Sequence, residues 1–459
     1  MLHPRIFKAN DIRGVVVGDD PEWDLDGARA LGMAFVALTG ADEFVLGRDM
    51  RVLGRELSLA FVDGARRAGA SVVDIGLAST DQLWFASGWL GLPGVQFTAS
   101  HNPAEYNGVK FCLADAAPVA ADFTLRLRDL AATVELGDDV VGGYRQLDAL
   151  DAYADKLGDL VPQRGERPLT VVIDAGNGMA GHTALSVLSG RELDIVGLYL
   201  ELDGSFPNHP ANPLVPENLI DAQRAVRDNG ADIGLVFDGD ADRCFIVDER
   251  GDVVDPSVIT AMIAVAELEK HPGSWIVTNT ITSRCVAEAV EARGGRIAVS
   301  RVGHTAVKAT MAELGAVFGG EHSAHYYFRD FWSADTGMLA ALHVLELLRA
   351  SGRPLSELAA VYDGYARSGE LNSTVDDASV CMEAVAALFA GRGEVTWDDG
   401  LLVRDAAAGW WVSLRPSNTE PLLRLNVEAR DGATMRALRD EALAAIALGS
   451  ERHPRRNHG

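Results

Sequence analysis

The sequence predicts an α/β fold: three α/β units alike in their order of elements, then a smaller α+β piece. Three observations carry this. Helix-spaced apolar residues alternate with short β-rich runs, as in 28–38 and 57–68 against 44–46 and 71–75. Such alternation predicts mostly parallel sheets. The pattern restarts after weakly patterned stretches at Gly142-Gly143 and Glu249-Arg250-Gly251-Asp252. Beyond 365–372 it changes to one helix (379–389), strands near 394–397, 400–404, 410–414 and 422–427, and a last helix. The expected domains are 1–145, 146–250, 251–367 and 368–459.

The 459-residue chain is 48% apolar and 23% charged, which excludes disordered and fibrous classes. Forty-one basic against 66 acidic residues give a net charge of −25. So acidic a chain is repelled by nucleic acid and anionic membrane, and neither is an expected partner. An anionic substrate would need Arg, Lys and His gathered in a cleft to reverse that field. Cys112, Cys244, Cys285 and Cys381 form no CxxC pair, as expected of buried free thiols in a reducing cytoplasm. The start, MLHPRIFKANDIRG, has no apolar signal core, and no run of about 18 apolar residues exists, so a cytoplasmic location is expected.

Four loops offer chemistry, each after an apolar run. Thr98-Ala99-Ser100-His101-Asn102-Pro103 follows Val95-Gln96-Phe97 and presents a hydroxyl, an imidazole and an amide. Loops at strand carboxyl ends are where α/β sheets place sites, although Ser, Asn and Pro also make ordinary turns. Asp238-Gly239-Asp240-Ala241-Asp242-Arg243 follows 233–237. Three carboxylates at alternate positions repel unless a cation lies between them, and hard oxygen ligands favour Mg²⁺ over Ca²⁺ or Mn²⁺. An EF-hand shares D-x-D-x-D, and Glu249 falls at its twelfth position, but Arg243 stands where its glycine is required. A nucleophilic-aspartate phosphatase would not need Asp242, and a solvated acidic turn is the plain alternative.

The third loop, Gly319-Gly320-Glu321-His322-Ser323-Ala324-His325, follows Ala316-Val317-Phe318. Its glycines allow close approach of backbone to a ligand, and Glu321 with Ser323 would clamp two sugar hydroxyls if the loop is extended. A simple polar loop fits as well. The fourth, Arg415-Pro416-Ser417-Asn418-Thr419-Glu420-Pro421, combines a guanidinium fork with short donors, an anion cradle that Arg424 and Asn426 could join. A hairpin turn is its alternative. Asp174 to Gly178 lacks G-x-G-x-x-G and reads as strand-to-helix packing. Arg13, Lys110, His304 and Lys308 carry no signal alone.

Taken in this order, the four loops resemble the α-D-phosphohexomutase family, nearest its bacterial phosphomannomutase/phosphoglucomutase branch. The resemblance runs from Asp11-Ile12-Arg13-Gly14 to the Arg415 loop. It implies four domains around a central cleft. It further implies that Ser100 carries a phosphoryl group, that Asp238, Asp240 and Asp242 hold Mg²⁺ with an oxygen on Ser100, and that Glu321 and Ser323 bind sugar O3 and O4. His325 would join that grip. Arg415, Ser417, Asn418, Thr419 and Arg424 would hold the non-reacting phosphate. Arg13, Lys110, Arg243 and His304 would surround the transferring one, with Lys110, His304 and His101 as acid/base candidates, and Arg284 would be a further substrate-binding residue. Two positions depart: Asn10 stands where some relatives have an aromatic residue, and Arg284 where some have Lys.

The implied reaction moves a phosphoryl group between O1 and O6 of a hexose phosphate, through phosphoserine and a hexose 1,6-bisphosphate that turns within the cleft. A grip on O3 and O4 is nearly blind to C2, so both mannose and glucose phosphates are expected substrates. A phosphoglucosamine mutase would usually open the serine loop with Ser rather than Thr98. A metal-dependent sugar phosphatase is the competing enzyme class, and a non-catalytic sugar-phosphate sensor the competing binding class. Oligomeric state is not readable.

Overall fold

Each of the first three units lays down its sheet in one sequence of moves. A central strand (Glu43–Arg48, Leu169–Asp174, Trp275–Asn279) pairs in parallel with the next strand on one side (Ser71–Leu77, Leu193–Leu198, Arg296–Ser300). A third parallel strand (Gly94–Phe97, Ile233–Phe237, Phe318–Gly320) lies on the other side. It then turns back into an antiparallel partner (Tyr106–Cys112, Cys244–Asp248, Tyr326–Phe328). The computed structural model describes residues 1–135, 141–416 and 422–451.

The parallel steps need helical crossovers, and the sequence supplies them. Helix Leu25–Thr39 is capped by the Asp24 carboxylate on the Gly27 N–H and ends at Gly40, whose φ of 65° suits glycine. It exceeds the expected 28–38 at both ends because capping residues carry no apolar signal. The expectation of mostly parallel sheets fails at the return strands: an antiparallel return needs only a short loop, whereas a parallel one needs a helix. That difference places the Ser100, Asp238 and Glu321 loops at equivalent positions in three sheets.

Gly94–Phe97 and Ile233–Phe237 are buried along their length, as sheet centres covered on both faces must be. Phe97 packs edge-on to Phe61 with centroids 5.6 Å apart, which anchors the strand just before the serine loop.

The fourth sheet is antiparallel in all its described pairs, with Trp410–Pro416 between Leu401–Asp405 and Leu422–Ala429. Its core, including Phe389, Val412, Leu425 and Ile446, is separate from those of the other units. Strand pairing carries the first sheet to Gln146 and the second to Val254, and begins the fourth at Ala366. Among the described residues no helix is long and apolar enough to cross a membrane.

Candidate functional site

The serine loop hangs from two strand ends, with the Thr98 N–H on the Gly108 carbonyl at 3.0 Å. Ser100 takes a left-handed φ of 51°, its N–H donating to Thr98 Oγ1 at 2.8 Å. Its Oγ donates to Asp238 Oδ2 and accepts from Arg243 Nη2, both at 2.8 Å. His101 Nδ1 lies 3.2 Å from the same Oγ and accepts from Arg243. Burial and the Arg243 charge push the His101 imidazole well below its usual range, so it is neutral. Arg13 approaches from the first strand, donating to Asn102 Oδ1 at 2.9 Å and Asp11 Oδ2 at 2.8 Å. Gly239 is required where the loops meet, because a Cβ there would lie 2.5 Å from the Ser100 carbonyl oxygen.

Asp238, Asp240 and Asp242 converge with one oxygen each within 4.8 Å of the others. Lys110 Nζ donates to Asp240 Oδ2 at 2.7 Å and Asp242 Oδ2 at 2.5 Å. Burial opposes the charge on Lys110, but the two carboxylates outweigh it and raise the ammonium well above its usual range. Burial works against an ionised Asp240 as well, yet Lys110 and a 2.6 Å bond from Thr80 Oγ1 hold its carboxyl far down. Asp238 goes the other way: burial, against Arg243, pushes its carboxyl up to about 8. Asp240 Oδ1 and Asp242 Oδ1 are buried with no hydrogen-bond partner. Orphaned carboxylate oxygens beside a hydroxyl are a hard-ligand set that fits a divalent cation.

The sugar loop joins this cluster directly. Arg243 and His325 form an antiparallel bridge, and His325 Nε2 lies 3.6 Å from Asp242 Oδ1. The loop is turned rather than extended: the Ala324 N–H returns to the Glu321 carbonyl at 3.1 Å, and Ala324 has φ 64°. Glu321 is buried and fixed by Tyr327 Oη at 2.5 Å, Asn279 Nδ2 at 2.8 Å and the Gly303 N–H at 3.2 Å. Burial opposes its ionisation, but His325 and these donors outweigh that and hold its carboxyl low. Ser323 Oγ pairs with His325 Nδ1 at 2.9 Å. Gly319 and Gly320 serve packing instead of ligand approach, since a Cβ on either would strike Met311 or Thr260.

In the fourth unit Arg415 and Arg424 face each other across the hairpin, and both reach Glu370. Arg415 Nε, Arg424 Nε and Asn426 Nδ2 are buried donors without partners, an arrangement that suits an anion. Both arginines act on His322 of the sugar loop, whose imidazole is held down to about 3 by burial and by Arg415. Ser417, Asn418 and Thr419 lie outside the described residues. His304 opens helix His304–Leu314, and burial, against Asp335, lowers its imidazole to about 4. Arg284 opens its helix with its N–H on Glu428 Oε1 at 3.0 Å, and its Nη1 donates to the Ala406 carbonyl at 3.0 Å.

Sequence reasoning missed several members. Thr80 braces Asp240, and Asn279 and Tyr327 brace Glu321. Lys308, which carries no signal alone, lies 3.0 Å from Asp335 Oδ1 beside His325. Asp399 of the fourth unit accepts from the Val302 N–H at 3.0 Å and Thr280 Oγ1 at 3.3 Å of the third.

Four family models for phosphoglucomutase/phosphomannomutase match in order: α/β/α domain I over 4–137, domain II over 151–251, domain III over 255–365 and the C-terminal domain over 370–445. The chain belongs to the phosphoglucomutase/phosphomannomutase family. A phosphomannomutase of Salmonella montevideo is 39% identical over 440 residues, covering 92% of this chain and 94% of that one. One from Escherichia coli strain K12 is 37% identical over 456 residues, covering 96% and 98%. The crystal structure of a phosphoglucomutase/phosphomannomutase family protein from Burkholderia thailandensis superposes with TM-score 0.86 at 33% identity, covering 98% of each chain. As a phosphohexomutase-family chain it is an isomerase-type phosphotransferase, and its four-unit architecture is the family's.

Proposed function

We propose that the chain is a phosphomannomutase that also accepts glucose phosphates, working through phosphoserine at Ser100. The observation that carries this is the position of Ser100 Oγ, 2.8 Å from both Asp238 Oδ2 and Arg243 Nη2 in a buried carboxylate triplet. Mg²⁺ held by Asp238, Asp240, Asp242 and an oxygen on Ser100 would offset charge on the transferring phosphoryl group. Arg13, Arg243 and Lys110 supply the remaining positive field in an otherwise acidic protein.

The sugar hydroxyl attacks phosphorus, the Ser100 Oγ–P bond breaks as the sugar O–P bond forms, and the hydroxyl proton leaves. Asp240 and Asp242 hold Lys110 charged, which leaves the neutral imidazoles of His101 and His304 to take that proton. The product is a hexose 1,6-bisphosphate. It turns in the cleft and returns its other phosphoryl group to Ser100. Glu321, Ser323 and His325 grip O3 and O4 in both orientations, and Arg415, Arg424 and the 417–419 segment hold the idle phosphate. The substrates are hexose phosphates and not nucleic acid. The four buried cysteines, none of them in a CxxC pair, suit the cytoplasm to which we assign the chain.

The test is a coupled assay on mannose 1-phosphate and on glucose 1-phosphate, with Mg²⁺ and a trace of hexose 1,6-bisphosphate. Activity on both substrates, abolished by Ser100→Ala, is the expected result. Full activity in that variant would remove the phosphoserine role.

A further inference from the structure

One buried cation near Ser100 turns its terminal N–H groups to the main chain. Arg51 follows strand Glu43–Arg48, and its side chain is 0% exposed. Its Nη2 donates to the carbonyls of Ser100 and Asn102, both at 2.6 Å. Its Nη1 donates to those of Pro103 and Tyr106, at 2.8 and 3.0 Å. Nε faces Asp49 Oδ2 at 3.4 Å. The guanidinium thus spends its terminal N–H groups on the main chain of a single loop.

Both sides of this grip are braced. Asp49 Oδ1 accepts the Arg51 N–H at 2.9 Å, and the Asp49 N–H donates to the Phe97 carbonyl at 2.9 Å. Thr98 hydrogen-bonds Asp49 and accepts the Ser100 N–H at 2.8 Å. From the second unit, the Phe206 ring lies 5.0 Å from Arg51 Cζ. Gly204 lets that segment close in, since a Cβ there would be 2.7 Å from Arg51 Cα. A non-glycine residue at Ser100's φ of 51° is strained and persists only where its surroundings over-determine it.

We infer that Arg51 is a positioning residue for phosphoryl transfer: it fixes the Ser100 main chain, and so the direction of Oγ, against a wall supplied by Phe206. This rests on Ser100 as the phosphoryl carrier. A displacement of the reacting atom by about 1 Å costs about a hundredfold in rate. Lysine cannot replace the fork, having neither its planarity nor its four terminal N–H groups.

The experiment uses full-length wild type, Ser100→Ala, Arg51→Lys, Arg51→Met and Phe206→Ala. Each is incubated with glucose 1,6-bisphosphate and Mg²⁺. Phosphorylation of Ser100 is followed by intact mass, and kcat and KM are measured for mannose 1-phosphate. Wild type is expected to gain one phosphoryl group at Ser100. Both Arg51 variants should load it about a hundredfold more slowly and lose kcat to match, with KM unchanged within about twofold. Phe206→Ala should move in the same direction by less. Should Arg51→Met fail to fold, Arg51→Lys and Phe206→Ala carry the test. Wild-type loading and kcat in Arg51→Lys would overturn the inference and leave the Ser100 reading standing. So would a raised KM at unchanged kcat, which would make Arg51 a substrate ligand. Failure of wild type itself to load Ser100, with Ser100→Ala still active, would overturn the reading beneath it.

Discussion

Arg243 Nη2 donates to Ser100 Oγ at 2.8 Å, across 143 positions of sequence. The same side chain reaches Asp238 through Nε at 3.0 Å, and its backbone bridges to His325. One residue therefore ties the serine, acidic and sugar loops together. Arg243→Lys keeps the charge and loses the fork. We expect kcat to fall about a hundredfold, the scale of removing one preorganised donor from a developing charge. Steady-state kinetics on mannose 1-phosphate checks this.

The orphaned oxygens of Asp240 and Asp242 make a second prediction. Asp240→Asn should weaken Mg²⁺ binding at least tenfold in calorimetry, because a charged hard ligand is lost. It also frees Lys110 from half of its pairing, so the fold should survive while metal affinity does not.

Glu321 accepts from Tyr327, Asn279 and Gly303. Glu321→Gln places an amide donor against other donors. Hydrogen bonds to charged groups are worth about 2 kcal/mol, so kcat/KM should drop about thirtyfold for mannose and glucose phosphates alike. A loss confined to one epimer would show that the carboxylate reads C2.

Asp399 links the fourth unit to Val302 and Thr280 of the third. Asp399→Ala should raise KM about fivefold, the equivalent of about 1 kcal/mol, and enlarge the radius of gyration in solution scattering. Unchanged scattering would show that this contact does not hold the units together.

Stability should fall in acid through buried neutral histidines. His343 stacks on Phe328 at 5.1 Å, and burial lowers its imidazole from 6.5 to about 3. The unfolded chain binds the proton below about 6.5 and the folded chain only near 3. Stability from this residue is thus complete above that window and declines as pH falls through it, by about 1.4 kcal/mol per unit. In thermal melts between pH 6.5 and 3, His343→Gln should show a shallower decline than wild type.

What the sequence made readable was local. The serine, acidic, sugar and phosphate loops are contiguous polar runs after apolar strands, and helix periodicity marked the layers around them. Their supports were not readable. Arg51 reaches Ser100 over 49 positions and Thr80 reaches Asp240 over 160, and nothing in either local pattern signals the partner. Gly319-Gly320 shows the opposite failure: glycine implies close approach, but only the fold reveals that the neighbour is Thr260 and Met311. Antiparallel return strands escaped for a related reason, since a buried strand has the same pattern in either direction.

As the proposed phosphoryl carrier, Ser100 should hand its group to a sugar and not to water. The direct measurement is a single turnover of enzyme carrying ³²P on Ser100, mixed with mannose 1-phosphate and Mg²⁺. We expect the label to leave the protein and appear first in mannose 1,6-bisphosphate and then in mannose 6-phosphate. Label released as inorganic phosphate, or retained on the protein while product forms, would contradict it.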